Sequence, residues 1–501
     1  MANELVRSQR KPLVMSDSPF RDHLPQSVGR RDFLRSVGGG FGGMALSALL
    51  ADEQRATAAG PSKARSTTFP QFPPKAKQVI QIFVSGAMSH IDTFDYKPEL
   101  DKYAGKAFEP GGKVELFESV PGKVQPSYWS FERRGECGRR VSSLFPHLGD
   151  CVDDMCFIHS MVSKSNVHGP GLFMMNSGFI LPGFPSMGSW VTYGLGTENE
   201  NLPAFVVLPD PRGFPMNGPI NWGAGFLPAT HQGTPLAMRA SMPPIHNLFP
   251  KADQRISAES ERDTLLFLQT LNAEHARRRP GDSELEARIN SYELAARLQL
   301  SAPEVVDISQ ETKAVHRLYG IDDPVTAATG RQCLLARRLI ERGVRFVQVW
   351  SGALNAGFPR QNWDGHEDMV NNHGREAKLF DRPVAALLKD LKSQGLLDDT
   401  LVICTSEFGR MCCTQGGKGR DHNPFAFTSW LAGGGIKGGT AYGESDEFAY
   451  KTVKDPVYCY DLHATALYLL GIDHTKLTFH NNGIDRRLTD VHGHVIREIL
   501  S

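Results

Sequence analysis

The sequence predicts an α/β protein with a mostly parallel central sheet, and three observations carry that prediction. Short apolar runs recur at 79–84, 156–161, 201–208, 344–350 and 401–404, each of a length that suits a strand buried on both faces. Helical spacing separates them, most plainly in Phe380, Val384, Leu387, Leu388 and Leu391, which place one apolar stripe on a helix that covers the sheet. Acids, imidazoles and guanidiniums follow directly on the ends of those runs, and open α/β sheets collect ligands outside the carboxyl ends of their strands.

Composition narrows the class. A chain of 501 residues with 40% hydrophobic residues can bury a substantial core. Lys plus Arg equals Asp plus Glu at 55 each, so the balance offers nothing to nucleic acid, and any charged substrate must be recognised locally. Eight cysteines form no CxxC pair and no regular framework; Cys404 reads as core, while Cys151 and Cys156 have the choice of pairing or staying reduced.

The first residues read as an address. Arg30 and Arg31 precede a weakly apolar, Gly/Ala-rich run at 36–51, and Ala56-Thr57-Ala58 offers small residues for cleavage. This resembles a twin-arginine export signal over 1–58, which implies the twin-arginine export machinery as a partner and a periplasmic or otherwise exported destination. That run is too short and Gly-rich for a membrane span, and no other stretch approaches the roughly 20 apolar residues a span needs. A Pro/Ser/Thr-rich linker at 59–75 then leads to a single domain at 76–501.

Within that domain, the run at 79–84 opens the first strand-to-turn corner, with Ser89, His90, Asp92 and Asp95 at its mouth. The run at 156–161 is followed by Ser163, Ser165, Asn166 and His168, and His168 starts a helix whose N-terminus is an anion-binding point. A short helix at 185–191 leads to the strand at 201–208. Residues 254–330 form a helical insertion marked by Leu265, Leu268 and Leu271. Gly343 breaks the helix ending at Ile340, and beyond the strand at 344–350 stand Asp364 and His366, a carboxylate and an imidazole able to converge on one divalent ion. The helix over 380–391 stops at Gly395. The run at 401–404 then meets Thr405, Ser406, Glu407, Arg410, Arg420, Asp421 and His422. Trp430 and Leu431 mark a further strand, and Asp461 is placed to cap the helix that carries Leu467, Leu469 and Leu470. No GxGxxG follows the opening strand, which argues against a dinucleotide site.

Several of these stretches, taken in order, are similar to one family. LLDDTLVICTSEFGR at 396–410 resembles the signature of the alkaline-phosphatase and sulfatase superfamily, and DLHATALYLLGID at 461–473 resembles a helix near the C-terminus of sulfatases. With SHIDTFD, Asn166-x-His168, SMGSWVTYGLG, GRDHNP and LTDVHG, the chain is similar to the sulfatase-like family called domain of unknown function 1501. The resemblance implies an alkaline-phosphatase-like three-layer sandwich and one or two divalent metal ions, whether zinc, calcium, magnesium or manganese. It implies Asp92 and Glu407 as ligands of one ion and Asp364, His366 and His422 as ligands of the other, with His90, His168 and Asp421 as additional donors. Phe408 stands where the superfamily has a histidine, and the Cys/Ser-x-Pro-x-Arg string of formylglycine sulfatases does not occur. The expectation is a metal-dependent hydrolase of sulfate or phosphate esters acting on a small-molecule or glycan substrate. Arg410 and Arg420 would hold the anionic group, and Ser165 or Ser163, or a metal-bound water, would supply the nucleophile. The alternative is a non-catalytic anion- or glycan-binding protein on the same fold.

Overall fold

The computed structural model describes residues 69–501 apart from 111–113, 118–119, 200, 237, 239–256, 280–284, 286–288, 290–303 and 355–358. The export signal, most of the linker and much of the middle of the helical insertion therefore lie outside the described residues.

The elements that build the domain are, in chain order, β1 (Gln78–Val84), β2 (Met155–Val162), α1 (His168–Ser177), α2 (Met187–Leu195), β3 (Phe205–Leu208), β4 (Thr234–Pro235), α3 (Ala258–Arg277), α4 (Ala327–Glu341), β5 (Phe346–Ser351), α5 (Met369–Ser393), β6 (Thr400–Thr405), β7 (Gly409–Gln415), β8 (Gly419–Asn423), β9 (Phe427–Ala432), β10 (Thr440–Tyr442), β11 (Val457–Tyr458) and α6 (Cys459–Leu469). The central sheet has nine strands in the order β10-β2-β9-β6-β1-β5-β3-β4, with β11 also on β2. Its pairings are parallel except the two made by β9, which lies antiparallel to both β2 and β6.

Side-chain alternation divides each central strand between two cores, because successive Cβ atoms leave opposite faces of a sheet. Ile80, Ile82 and Val84 of β1 and Val402 and Cys404 of β6 pack on one face with Leu334 and Leu339 of α4 and Phe380, Val384, Leu387 and Leu391 of α5. Val79, Phe83, Leu401 and Ile403 pack on the other, with Met174 and Met175 of α1, Trp190 of α2 and Leu467 and Leu469 of α6. The predicted α/β class with a mostly parallel sheet is the observed one, and its layers are helix, sheet, helix.

Two local readings need correction, and one open alternative, that of the two cysteines, closes. The strand expected from 201 begins only at Phe205, because Pro203 has no N–H to give the ladder. Asp461 is not the cap residue of α6: it stands at the third helical position and its carboxylate accepts the N–H of Tyr458, which is the N-cap. Cys151 and Cys156 are both free thiols. The polar stretch after 404 also forms a hairpin outside the central sheet, β7 pairing antiparallel with β8 through His422 opposite Arg410, with a bulge between Arg420 and His422. Among the described residues no helix is long and apolar enough to cross a membrane.

Candidate metal centre

The carboxyl ends of β1, β5 and β6 point to one side of the sheet, and the segments that leave them converge. After β1, Gly86 adopts φ +104°, and a Cβ there would sit 2.7 Å from the backbone nitrogens of Trp363 and Asp364, so only glycine lets the first corner meet the segment that follows β5. That segment carries Asp364 and His366. Gly419 at the head of β8 does the same from the other side, since a Cβ there would collide with the carbonyl of His366. The bulge in β8 then alters the alternation of side chains just before His422, and the start of α1 brings in His168.

His168, Asp364, His366 and His422 offer one ligand atom each within 4.8 Å of one another. His366 Nε2 lies 2.8 Å from His422 Nε2 and 3.0 Å from Asp364 Oδ1. His168 Nε2 lies 3.2 Å from the same carboxylate oxygen, is buried, and makes no hydrogen bond of sound geometry.

The outer nitrogens fix the tautomers. His168 Nδ1 faces Glu407 Oε1 at 2.6 Å, His366 Nδ1 faces Gln415 Oε1 at 2.5 Å, and His422 Nδ1 faces the Asn166 carbonyl at 2.6 Å. A carboxylate, an amide oxygen and a main-chain carbonyl only accept, so each neutral ring carries its proton on Nδ1. Three Nε2 lone pairs and a carboxylate oxygen then face one another. Acceptors gathered this way repel unless a cation sits among them, and imidazoles fixed by outer acceptors are the usual support of a metal.

The charges agree. Burial pushes the carboxyl of Asp364 upward, but the guanidinium of Arg410, and after it the nearby rings of His168, His366 and His422, outweigh it and hold the group far below the usual carboxylate range. Burial pulls His168 down, but the carboxylates of Asp364 and Glu407 beside it reverse this and raise it to about 9, so without a metal ion this ring holds a proton where a cation would stand. His422 is lowered to about 3, first by burial and then, against the pull of Asp364, by Arg410 and the neighbouring rings. The pocket between the two carboxylates thus draws one positive charge.

The structure gathers Asp364, His366 and His422 with His168, and sets Glu407 one step behind. Glu407 Oε1 accepts from Gly86 N at 2.8 Å as well as from His168, and Ser406 Oγ donates to Oε2 at 3.1 Å. It does not bring Asp92 into the group: its oxygens take Arg420 Nε at 2.8 Å, Ser89 Oγ at 2.6 Å and Tyr128 N at 3.1 Å. Arg420 is fully buried and spends its remaining donors on the carbonyls of Met411, Gln125 and Pro126. Arg410, equally buried, donates to Asp364 Oδ1 at 2.5 Å and to the carbonyls of Gly86, Ala87 and Arg420. Ser165 Oγ donates to the carbonyl of its neighbour Val167 and accepts that residue's N–H, both at 3.1 Å. His90 Nε2 meets the Ala449 carbonyl at 2.8 Å while its buried Nδ1 has no partner among the described residues, and Asp421 accepts the main-chain N–H groups of Phe117 and His422. Phe408 fills the space beside the centre, its ring 5.0 Å from that of His168 and 4.6 Å from that of His422.

Arg360 escaped the sequence reading. Its guanidinium pairs with Asp364 Oδ2 and reaches Glu367 at 2.7 Å, and its side chain is 35% exposed where those of Arg410 and Arg420 are fully buried. Its spacing of four from Asp364 was the available signal, and no regular element over 359–364 gave that spacing a meaning in advance.

The family model described as "Protein of unknown function (DUF1501)" matches residues 76–500. The chain belongs to this family. No curated protein matches the chain. Solved structures that align with this DUF1501 chain include a phosphonate monoester hydrolase from Silicibacter pomeroyi, at 12% identity over 71% of this chain and 71% of that one with a TM-score of 0.34. Another is a sulfatase from Pseudoalteromonas sp., at 13% identity over 89% of this chain and 76% of that one with a TM-score of 0.32. A protein in the alkaline phosphatase superfamily from Vibrio parahaemolyticus aligns at 10% identity over 85% of this chain and 76% of that one, with a TM-score of 0.33. Values this low carry nothing about chemistry.

Proposed function

We propose that this DUF1501 protein is an exported, metal-dependent hydrolase of sulfate or phosphate esters built around one divalent cation held by His168, Asp364, His366 and His422. The observation that carries the reading is the set of three imidazoles, each donating Nδ1–H outward and turning Nε2 toward one carboxylate oxygen. Three nitrogens and one oxygen suit zinc or a related transition ion better than calcium or magnesium, which prefer oxygen throughout. A divalent cation there supplies a Lewis acid for an ester oxygen and lowers the pKa of a coordinated water.

The chain's own residues do the rest. Glu407 fixes the tautomer and angle of His168, and Arg410 balances the charge of Asp364 from the protein side. Arg360, partly exposed and already in contact with Asp364, is the guanidinium placed to meet an anionic ester group. The expected roles of Arg410 and Arg420 as anion clamps pass to it, since both of those are fully buried while Arg360, though paired with Asp364 and Glu367, is partly exposed. Phe408 takes the place of a further imidazole, so the reading is one ion and not two. Export rests on the twin-arginine-like signal at Arg30 and Arg31.

Elemental analysis of the folded protein tests this, followed by a screen of aryl sulfates and aryl phosphates. One equivalent of transition metal and turnover lost on chelation is the expected result; a metal-free protein that refuses added zinc overturns it. The second reading, a non-catalytic binder of sulfated glycans, is favoured by the self-bonded Ser165 and the inward Arg410 and Arg420. Saturable binding of sulfated oligosaccharides by a metal-loaded protein that turns over no ester would select it.

A further inference from the structure

We propose that the cleft on the far side of the Asp92–Arg420 pair is a binding site for a neutral saccharide. It is a cavity of about 360 Å³ walled by Tyr96, Tyr128, Trp129 and Phe131, with Asp101 and Ser130 at its edge. That volume falls at the small end of the roughly 300–1,000 Å³ of ligand sites. Aromatic side chains are the costliest residues to leave half in water, and here Tyr128, Trp129 and Phe131 follow closely in the chain while Tyr96, from the segment after β1, brings its ring to 5.2 Å from that of Phe131.

The polar inventory selects the ligand class. The Tyr96 hydroxyl, the Trp129 indole N–H, the Ser130 hydroxyl and the Asp101 carboxylate have no hydrogen-bond or ion-pair partner among the described residues. The cation in the wall is committed: Lys97 Nζ lies 3.1 Å from Asp95 and donates to the Ser445 carbonyl at 3.0 Å. With no uncommitted cation among the residues that line the cleft, and with Arg140 stacked on the Tyr96 ring at 4.5 Å, an anion finds little to pair with, and with three donors, two of them hydroxyls that also accept, and a carboxylate at the rim an aliphatic chain would strand them. A pyranose satisfies both demands: its C–H face is apolar and slightly positive against a ring's negative face, and its hydroxyls both donate and accept. A quaternary ammonium would also like aromatic faces, but Lys97 stands in the same wall against it.

The wall is fastened to the metal centre. Tyr128 N donates to Asp92 Oδ1, its hydroxyl donates to the Lys418 carbonyl at 3.0 Å, and its ring lies 5.4 Å from the guanidinium carbon of Arg420. Two residues beyond Arg420 is His422, and Arg420 N itself bonds the Gly365 carbonyl between Asp364 and His366. The saccharide is thus the glycan part of an ester substrate, a step that rests on the hydrolase reading; the binding itself does not.

The test uses the folded full chain with neutral cello-, xylo-, chito- and galacto-oligosaccharides as probes, read by calorimetry and tryptophan fluorescence. One of these series binds, Trp129→Ala weakens it at least about tenfold, and Tyr96→Phe, which keeps the ring and cannot empty the fold, weakens it by a smaller factor. Binding persists after chelation. No binding by any series, binding indifferent to both variants, binding lost on chelation, or choline preferred over every sugar each overturns the proposal. Absence of esterase activity leaves it standing, so its failure and that of the hydrolase reading are separately visible.

Discussion

Two buried carboxylates stand beyond neighbouring strands of the sheet, and they are used in opposite ways. Asp92 is surrounded by donors: a guanidinium, a hydroxyl and an amide satisfy its oxygens, and nothing is left for a ligand. Asp364 has Arg410 and Arg360 on one side and three imidazole nitrogens on the other, and those nitrogens are acceptors once their outer protons are assigned. A carboxylate among donors is a fastening, and a carboxylate among acceptors is a place for a cation. The difference lies in what neighbours the chain supplies, not in burial, for both are nearly inaccessible.

Breaking the fastening should have the largest effect on the fold. Asp92→Ala leaves Arg420 buried and unpaired, a loss of about 3–5 kcal/mol in denaturant unfolding, while the folded fraction still binds metal with wild-type stoichiometry. The same pair gives a pH signature. Burial raises the Asp92 carboxyl, but Arg420 and Ser89 outweigh it and leave it below its ordinary value. A group lowered on folding stabilises fully above its unfolded pKa, about 3.9, and the contribution fades as pH falls through the folded value. Asp92→Asn should therefore flatten the acid limb of the stability curve below about pH 4; an unchanged limb would assign acid sensitivity to other carboxylates.

At the other carboxylate the order of effects reverses. Asp364→Asn keeps the shape and removes the charge, so zinc affinity should fall at least about 100-fold, near 2.7 kcal/mol, with a smaller loss of stability in metal-free protein than Asp92→Ala produces. Equal losses of stability in the two variants, with metal affinity intact, would erase the distinction. Glu407→Gln sharpens it at one remove. An amide can still accept from His168 Nδ1 but brings no charge, so metal affinity should drop about 10–100-fold with the transition in denaturant hardly moved. Affinity within twofold of wild type would place Glu407 outside the support of the centre.

Most of the frame was legible because it depends on periodicity: the runs at 79–84 and 401–404 could only be strands, and the stripe from Phe380 to Leu391 could only be a helix lying on them. Asp364 and His366 were legible as a candidate pair because they follow a strand end, and His422 joined them through the resemblance. What distinguished Asp92 from Asp364 was not, since it depends on which side chains from other parts of the chain turn toward each one. Arg420 and Asp92 are 328 positions apart, and no local pattern announces such a pair. The same holds for His168, whose part in the centre is fixed by Glu407, 239 positions on. The bulge before His422 was hidden for another reason: a polar segment such as GRDHN carries no alternation from which a register can be read.

Ser165 is where the comparison predicts the smallest effect. A serine nucleophile must present its oxygen to the reacting atom and have a base within hydrogen-bond reach of its proton. Here the hydroxyl is closed into a short turn with Val167, giving its proton to that carbonyl and taking that amide's, while the neighbouring Asn166 uses only its carbonyl on His422. Ser165→Ala should leave metal content and any aryl ester turnover within about twofold of wild type, a difference of only about 0.4 kcal/mol in the barrier. Turnover reduced a hundredfold with metal still bound would make Ser165 the nucleophile and require the 163–167 turn to open in the working enzyme. An unchanged rate leaves Ser165 a turn residue, its hydroxyl spent on Val167, and takes the attacking oxygen out of the 163–167 turn.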